Sequence, residues 1–312
     1  MTPRFLMRNN KRGCWYNEFM RFVFVILISL FAFFTLKRYF EEPVFSFRPV
    51  YPQQGDPLMI TLEGTFPEKV KSMSIGSTTL AWFSYRGKPA ALVGFDLMQA
   101  TGTYSVYAEL SDGRVLTDTL VLQERKKIKI PLGIPQKLGG NTPKSQQRLV
   151  VSLVEENNIL AHLDSVSEAL WSEPFIMPLA STTITDTYGY IRLTGAYAIP
   201  HKGVDFRAAT GTPVVAMNRG VVTLVREFRT YGKTIVLDHG LGLQTLYMHL
   251  AETLVAEGEA VAQGQLIALS GETGYAERPH LHLSVRINKV SIDPSVFLDL
   301  FGIRPSGGAI DE

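Results

Sequence analysis

The sequence predicts a mainly β protein with an N-terminal transmembrane helix, a small immunoglobulin-like β module, a helical connector and a C-terminal antiparallel β-sheet domain. Three observations carry this prediction: one long apolar run, two regions of short β-like runs between turn residues, and a capped helical segment between those regions. The predicted segments are a cytoplasmic tail at 1–21, the anchor at 22–40, the β module at 43–125, a linker with a helix at 126–180, the C-terminal domain at 181–300 and a tail at 301–312.

The apolar run FVFVILISLFAFFTL predicts the membrane anchor. Its 15 residues, Phe22 to Leu36, would rise only about 22 Å as a helix, against a hydrocarbon core of about 30 Å. The flanking residues on both sides close this gap, since the cations can snorkel and the aromatic rings suit the interface. The excess of Arg and Lys before the run predicts a cytoplasmic N-terminus, with everything after about residue 40 outside.

A cleaved signal peptide is the alternative interpretation of this run. The segment 37–40, Lys-Arg-Tyr-Phe, stands where a small-x-small cleavage site would be needed, which favours an uncleaved anchor. The sequence does not establish whether the helix is cleaved. The single cysteine, Cys14, precedes the run, so the exported part contains no cysteine and must be held together by its core.

The overall charge argues against one class of function. The formal net charge is +2, and no long basic block interrupts the folded part, which argues against a nucleic-acid partner.

The predicted β module consists of about 80 residues of short strands, with Ser111-Asp112-Gly113 as a hairpin turn. It carries no chemical constellation, so a spacer or docking module is expected. After it, Thr142 as N-cap and Pro143 at the first helical position predict a helix that ends near His162. That histidine has no partner nearby in sequence and is interpreted as structural or surface.

Two histidines lie one residue apart in ERPHLHLSV. On a strand, His280 and His282 point to the same face, and Ser284 and Arg286 continue that polar face. The alternating leucines and valine favour the strand over a helix. Both imidazoles are therefore expected to project side by side, as a shared site would require.

Three further residues in the C-terminal domain are candidates for the same site. His201 and Asp205 are four residues apart in PHKGVDFRA and share a face on a strand or a helix. His249, in LQTLYMHL, alternates with leucine and methionine and is expected on a polar strand face. Imidazole and carboxylate groups are ligands for zinc, although the H-x-x-x-D spacing alone is a weak signal.

Four blocks of this domain occur in the order HKGVDFRAATGTPVVA, YGKTIVLDHGLGLQTLYMHL, VAQGQLIALSGETG and PHLH. Together they resemble the lysostaphin/LytM-type zinc metalloendopeptidases, which cleave peptidoglycan cross-links. The resemblance covers about residues 183–298 and implies a periplasmic or extracellular hydrolase with Zn²⁺ as cofactor and peptidoglycan stem peptides as substrate. It implies that His201, Asp205 and His282 bind the metal and that His249 and His280 are the catalytic pair, with their individual roles left open.

The chain departs from the family pattern in two places. No asparagine stands close before His201, and 275–279 reads Tyr-Ala-Glu-Arg-Pro where small, Gly-rich text is usual. Tyr231 matches a family position near the site. Arg278 enters the site strand at its rim and is a candidate for binding a carboxylate of the stem peptide, although a solvated loop arginine is the simpler interpretation. His239 reads as part of a turn and is expected to be structural.

Two other functions are alternatives to peptide hydrolysis. A metal-free member of this fold could activate a separate cell-wall amidase, but such a regulator would be expected to lack a ligand, and all five residues are present. The stretch VAEGEAVAQGQLIAL resembles a hairpin of lipoyl- and biotinyl-carrier domains. Such a domain needs a modifiable lysine at the hairpin tip, and Lys233 lies outside this hairpin. The bond cleaved, any regulatory protein partner or latency segment, and the oligomeric state cannot be read from the sequence.

Overall fold

The computed structural model describes residues 42–307 together with residues 23–24. The predicted cytoplasmic tail, all but two residues of the predicted anchor at 22–40, and residues 308–312 lie outside this described part. Within it, no helix has the length and hydropathy needed to cross a bilayer. The described chain is mainly β, with two α-helices, which confirms the β fold class.

The first module is a sandwich of two four-stranded antiparallel sheets, with strand orders β1-β2-β6-β5 and β4-β3-β7-β8. Its strands are β1 Val44–Arg48, β2 Pro57–Glu63, β3 Val70–Ile75, β4 Thr78–Leu80, β5 Trp82–Tyr85, β6 Lys88–Gly94, β7 Gly102–Leu110 and β8 Val115–Leu122. A short 3₁₀ helix, Pro67–Lys69, precedes β3. The predicted hairpin turn joins β7 to β8, with Gly113 at a φ of 87°. The immunoglobulin-like assignment itself stays a prediction.

The two sheets share an apolar core. Leu58, Ile60 and Leu62 of β2 pack with Met73 of β3 and Val106 of β7, and all five are fully buried. This alternation of inward apolar residues is what a two-sheet sandwich requires.

The connector contains a short strand and the predicted helix. These elements are β9, Lys129–Pro131, a 3₁₀ helix at Gln136–Leu138, and α1, Pro143–Ala161. Thr142 caps α1, with its Oγ1 accepting from the Ser145 amide at 3.2 Å. The predicted start and end of this helix are confirmed. Strand β9 pairs in parallel with residues 191–193 of the next domain, so the connector is tied to that domain.

The C-terminal domain is built around an eleven-stranded sheet and a small three-stranded one. Its strands are β10 Thr183–Asp186, β11 Ile191–Thr194, β12 Tyr197–Pro200, β13 Val204–Arg207, β14 Pro213–Val215, β15 Gly220–Phe228, β16 Gly232–Asp238, β17 Leu243–Thr253, β18 Ala260–Val261, β19 Leu266–Ser270, β20 His280–Ile287, β21 Val290–Ile292 and β22 Ser306–Gly307. One helix, α2, spans Pro294–Leu300. The central run of strands is β15-β16-β17-β20-β13-β10, so β17, β20 and β13 lie side by side.

The module and the C-terminal domain share one apolar core. Met59 and Leu92 of the module pack in the same cluster as Phe206, Tyr247 and Phe297 of the domain. The sandwich is therefore docked on the domain through buried side chains and is more than a tethered spacer.

A buried ion-pair network fixes this junction. Arg125 donates to Asp56 of the module and, at 3.0 Å, to Asp293, the N-cap residue of α2. Both carboxylates are buried, with exposures of 5% for Asp56 and 7% for Asp293. Removing the cation alone would leave two buried negative charges without a partner, which is strongly destabilising.

We therefore expect Arg125→Met to lower the free energy of unfolding by about 3–5 kcal/mol. Arg114→Met is the matched control, because Arg114 pairs with Asp112 on an exposed turn and such pairs are worth about 0–1 kcal/mol. Chemical denaturation of the two variants measures the difference. Similar, small losses in both would contradict a structural role for the Arg125 network.

Candidate metal centre

The site begins with a cross-strand pair. Strands β13 and β20 are antiparallel neighbours, and their register places Asp205 directly opposite His282. The flanking residues Val204 and Phe206 point into the core, so alternation puts Asp205 on the other face. As a result the His282 Nδ1 and Asp205 Oδ1 atoms are 2.7 Å apart.

His201 completes the group from the loop between β12 and β13. Its Nε2 lies 3.2 Å from Asp205 Oδ1 and 3.1 Å from His282 Nδ1. Its other ring nitrogen, Nδ1, lies 2.8 Å from the carbonyl oxygen of Thr187. Because a carbonyl can only accept, Nδ1 carries the proton and Nε2 keeps its lone pair for a metal.

The three residues fit a zinc ion by donor type and by spacing. One ligand atom from each of His201, Asp205 and His282 lies within 4.8 Å of the others. Bonds of about 2.0–2.2 Å at tetrahedral angles would separate ligand atoms by about 3.3–3.6 Å, so the group needs to open by less than ~1 Å. Two nitrogens and one oxygen leave a fourth position open, as a catalytic zinc site requires.

The protonation states also suit metal binding. Burial would raise the pKa of Asp205, but its interactions with His201 and Arg192, together with its hydrogen bonds, hold that pKa well below the usual value. Burial lowers the pKa of His282 to about 4, against the opposing effect of Asp205. At neutral pH the group therefore presents a carboxylate and a neutral imidazole, the forms in which these residues ligate metals.

An arginine from the small sheet holds the carboxylate in place. Arg192 on β11 donates to Asp205 Oδ2 at 2.7 Å and also to Asp186, so one oxygen of Asp205 is held while Oδ1 faces the histidines. Groups that hold a ligand in this way fix its orientation and tune its affinity for the metal.

His249 reaches the site through a β-bulge. Ile235 pairs with Tyr247 and Lys233 pairs with Leu250, so two residues of β17 lie opposite one residue of β16. His249 has a φ of 60°, in the left-handed region, where residues other than glycine are uncommon. Met248, which lies opposite His282, and His249 both line the site, although they are consecutive.

The bulge explains why His249 reaches the site although the alternation along β17 would not place it there. Thr245 and Tyr247 were expected on the same polar face as His249, but both are fully buried, and Tyr247 belongs to the main core. Simple alternation would place His249 in that core as well. The extra residue redirects its ring toward the site, so His249 lines the cleft because of the bulge and not because of simple alternation.

The two predicted catalytic histidines lie side by side next to the ligands. The rings of His249 and His280 are 4.8 Å apart, and His280 Nε2 is 3.7 Å from Asp205 Oδ1. The Nδ1 atoms of the two rings contact the carbonyl oxygens of Thr273, at 2.8 Å, and Arg278, at 2.7 Å. Each Nδ1 is therefore the donor, and each Nε2 is left free to accept a proton. Burial, together with the nearby His280 and His282, lowers the pKa of His249 well below its usual value.

The ligands open into a cleft of about 580 Å³. His201, His249 and His282 line one part of it, and helix α1 forms a wall through apolar residues such as Leu149 and Val154. A peptide can reach the metal position through this opening.

Of the remaining sequence candidates, Tyr231 lines the cleft and the others do not. Tyr231 donates to Asn157 Oδ1 at 3.2 Å. His239 is fully buried, with Nδ1 2.8 Å from the Arg219 carbonyl and Nε2 2.8 Å from Thr245 Oγ1, which fits a structural residue. Burial lowers the pKa of His239 to about 4. His162 is the exposed C-cap of α1.

Arg278 contributes its backbone carbonyl to His280 and has an exposed side chain outside the cleft lining. The groups that orient the ligands, Arg192 and the Thr187 carbonyl, were missed because they come from other parts of the chain. Arg286 lines the cleft and was noted only as part of the polar alternation of β20. That alternation was the signal that could have identified it.

The site lies in the part of the chain that is similar to known proteins. Residues 199–294 match the model of Peptidase family M23. An uncharacterized metalloprotease of Haemophilus influenzae is 46% identical over 96 residues, which cover 30% of this chain and 20% of that protein. The peptidoglycan DD-endopeptidase ShyA of Vibrio cholerae is 45% identical over 83 residues, covering 27% of this chain and 19% of that protein. The chain thus matches about a fifth of the length of these curated relatives.

The crystal structure of a candidate M23 peptidase from Pseudomonas aeruginosa has the same overall fold. It superimposes with a TM-score of 0.60 at 22% identity, covering 80% of this chain and 97% of that one. The similarity therefore extends beyond the C-terminal domain into the preceding module.

The geometry separates three ligands from two neighbouring histidines. We expect His201→Ala, Asp205→Ala and His282→Ala each to lose the bound metal, because a site with three protein ligands does not tolerate the loss of one. His249→Ala and His280→Ala should retain about one metal ion per chain, since their Nε2 atoms lie outside the ligand triad.

Metal content of the purified variants, measured by inductively coupled plasma mass spectrometry, tests this assignment. Thermal unfolding of each variant in the presence of chelator controls for loss of fold. Loss of metal from His280→Ala with retention in His282→Ala would reverse the assignment of these two histidines.

Proposed function

We propose that this chain, whose C-terminal domain is an M23 peptidase domain of the lysostaphin/LytM type, is a zinc-dependent endopeptidase that hydrolyses peptide cross-links of bacterial peptidoglycan. The observation that carries the proposal is the convergence of His201, Asp205 and His282 at an open cleft, with two more histidines beside them. ShyA, which matches this region, is named as a peptidoglycan DD-endopeptidase.

The residues around the metal position provide the groups that peptide hydrolysis needs. A zinc ion held by the triad would lower the pKa of a bound water from about 15.7 toward about 7 and polarise the scissile carbonyl. The Nδ1 atoms of His249 and His280 face carbonyl oxygens, so it is the Nε2 atoms that can accept the proton of water and pass it to the leaving amine. Burial keeps His249 neutral, so it is able to act as a base at neutral pH.

The regulator alternative predicts a damaged site. A protein that only activates an amidase has no need for a metal-binding triad, a carboxylate held by Arg192, or two further histidines beside that triad. All of these features are retained here, so they support hydrolysis by this chain itself.

We further propose that the chain is anchored in the cytoplasmic membrane by one helix near residues 22–40, with the peptidase domain on the outer side. The support is the apolar run, the positive charges that precede it and the single Cys14 on its N-terminal side. The substrate lies outside that membrane, which agrees with this orientation.

Digestion of purified peptidoglycan by the full chain tests the activity. We expect mass spectrometry to show cross-linked dimers converted to monomers, with one water added per bond broken. His249→Ala should leave the dimers intact while it retains metal. Intact dimers after treatment with metal-loaded wild-type protein would contradict the proposal.

Labelling of whole cells tests the anchor. An external protease is expected to degrade residues 41–312, while a membrane-impermeant thiol reagent leaves Cys14 unlabelled until the cells are opened. Since the chain contains one cysteine, the label reports on that side of the membrane alone. Secretion of a soluble form that begins near residue 40 would contradict the anchor.

A further inference from the structure

One cation of the cleft has no counter-charge. Arg286 lies on β20, four residues after His282 and on the same strand face, and it lines the cleft. Its side chain is buried, with 6% of the residue exposed. Buried cations are normally paired, because an unpaired charge loses its hydration without compensation. Among residues 42–307, no carboxylate lies within ion-pair distance of this guanidinium.

One edge of the Arg286 guanidinium, formed by Nε and Nη2, is only partly hydrogen-bonded. Its Nη2 donates to Asn157 Oδ1 at 3.3 Å, a long contact with a neutral amide of helix α1. Its Nε is buried and has no hydrogen-bond partner in the structure. These two nitrogens form one side of the planar group, where two parallel N–H bonds match the two oxygens of a carboxylate.

The surroundings of Arg286 provide donors and no competing anion. Among the described residues that line the cleft there are Arg192, Lys202 and Lys289 besides Arg286, and there is no aspartate or glutamate. The buried hydroxyl of Tyr275, which also lines the cleft, lacks a partner as well. Burial lowers the pKa of Arg286, with only Tyr231 acting in the opposite direction, as expected where no carboxylate is near.

The other cations do not share this property. Arg192 is held by Asp186 and Asp205, and Lys202 lies 3.4 Å from Asp96 at the surface. Lys289 is exposed, so water already solvates its charge. Arg286 is therefore the cation that gains most from an anionic ligand in the cleft.

We propose that Arg286 is a specificity-determining residue that binds a carboxylate of the peptide substrate through its Nε and Nη2 atoms. This inference rests on the proposed peptidase function, because it places the carboxylate in the cleft that leads to the metal ligands. The carboxylate replaces Asn157 as the partner of Nη2 and supplies the missing partner of Nε. A peptide whose carboxylate is amidated binds less well, since an amide offers one acceptor and no charge.

The test compares cross-linked muropeptide dimers with free carboxylates against the same dimers after amidation. Wild-type protein should cleave the carboxylate form with a kcat/KM at least tenfold higher, the effect expected of a charge-assisted contact in a buried site. Arg286→Met should lose this preference, because its kcat/KM falls for the carboxylate substrate and is unchanged for the amidated one. Arg278→Met is the matched control, because that arginine is exposed and outside the cleft, and its preference should equal that of wild type.

A second measurement separates this inference from the peptidase function. In the His280→Ala background, isothermal titration calorimetry of the two dimers reports binding without turnover, and Arg286→Met should remove the preference there also. If the chain cleaves both dimers equally and Arg286→Met changes neither rate, the carboxylate contact is wrong while the peptidase function stands. If nothing is cleaved but the binding preference depends on Arg286, the peptidase function is wrong and the carboxylate site stands.

Folding of the variant is controlled by its metal content and its thermal midpoint. Arg286→Lys keeps the charge without the two-nitrogen edge, so it should retain a reduced preference of a few fold. The wild-type comparison needs no variant at all, and equal cleavage and equal binding of the two dimers would by itself overturn the proposal.

Discussion

The site depends on keeping Asp205 ionised in a buried position. Its carboxylate is 6% exposed, and burial alone would favour the protonated acid. Arg192 provides the opposite charge from β11, and the two ligand histidines contact the other oxygen. The pairing of β13 with β20 is therefore constrained to one register, since a slip by one residue would turn His282 away from Asp205.

The same constraint explains which parts of the site the sequence could predict. His280 and His282 share a strand face by simple alternation, and the strand that carries them was recognisable from its own residues. His201 and Asp205 lie close in sequence, so their convergence needed only a short loop. Arg192 and the carbonyls of Thr187 and Thr273 could not be found in this way, because nothing local distinguishes an orienting group from any other polar residue.

His249 shows the limit of periodic reasoning more sharply. Alternation along β17 predicts one face for Thr245, Tyr247 and His249, and the core does hold the first two. A bulge adds one residue at Met248–His249, which changes the face of everything beyond it. Whether a strand contains a bulge depends on its pairing with neighbouring strands, so the bulge cannot be predicted from the sequence of the strand alone.

The charge of the cleft lining differs from the charge of the whole chain. The net charge of +2 is nearly neutral for 312 residues, yet the cleft lining is entirely cationic among its charged residues. Asp205 is absent from that lining because its carboxylate turns toward its two histidines and Arg192. The negative charge of Asp205 is thus balanced within the metal site, whereas the positive charge of Arg286 is left facing the cleft. A peptide that enters with a carboxylate resolves both the buried cation and its own desolvation in one contact.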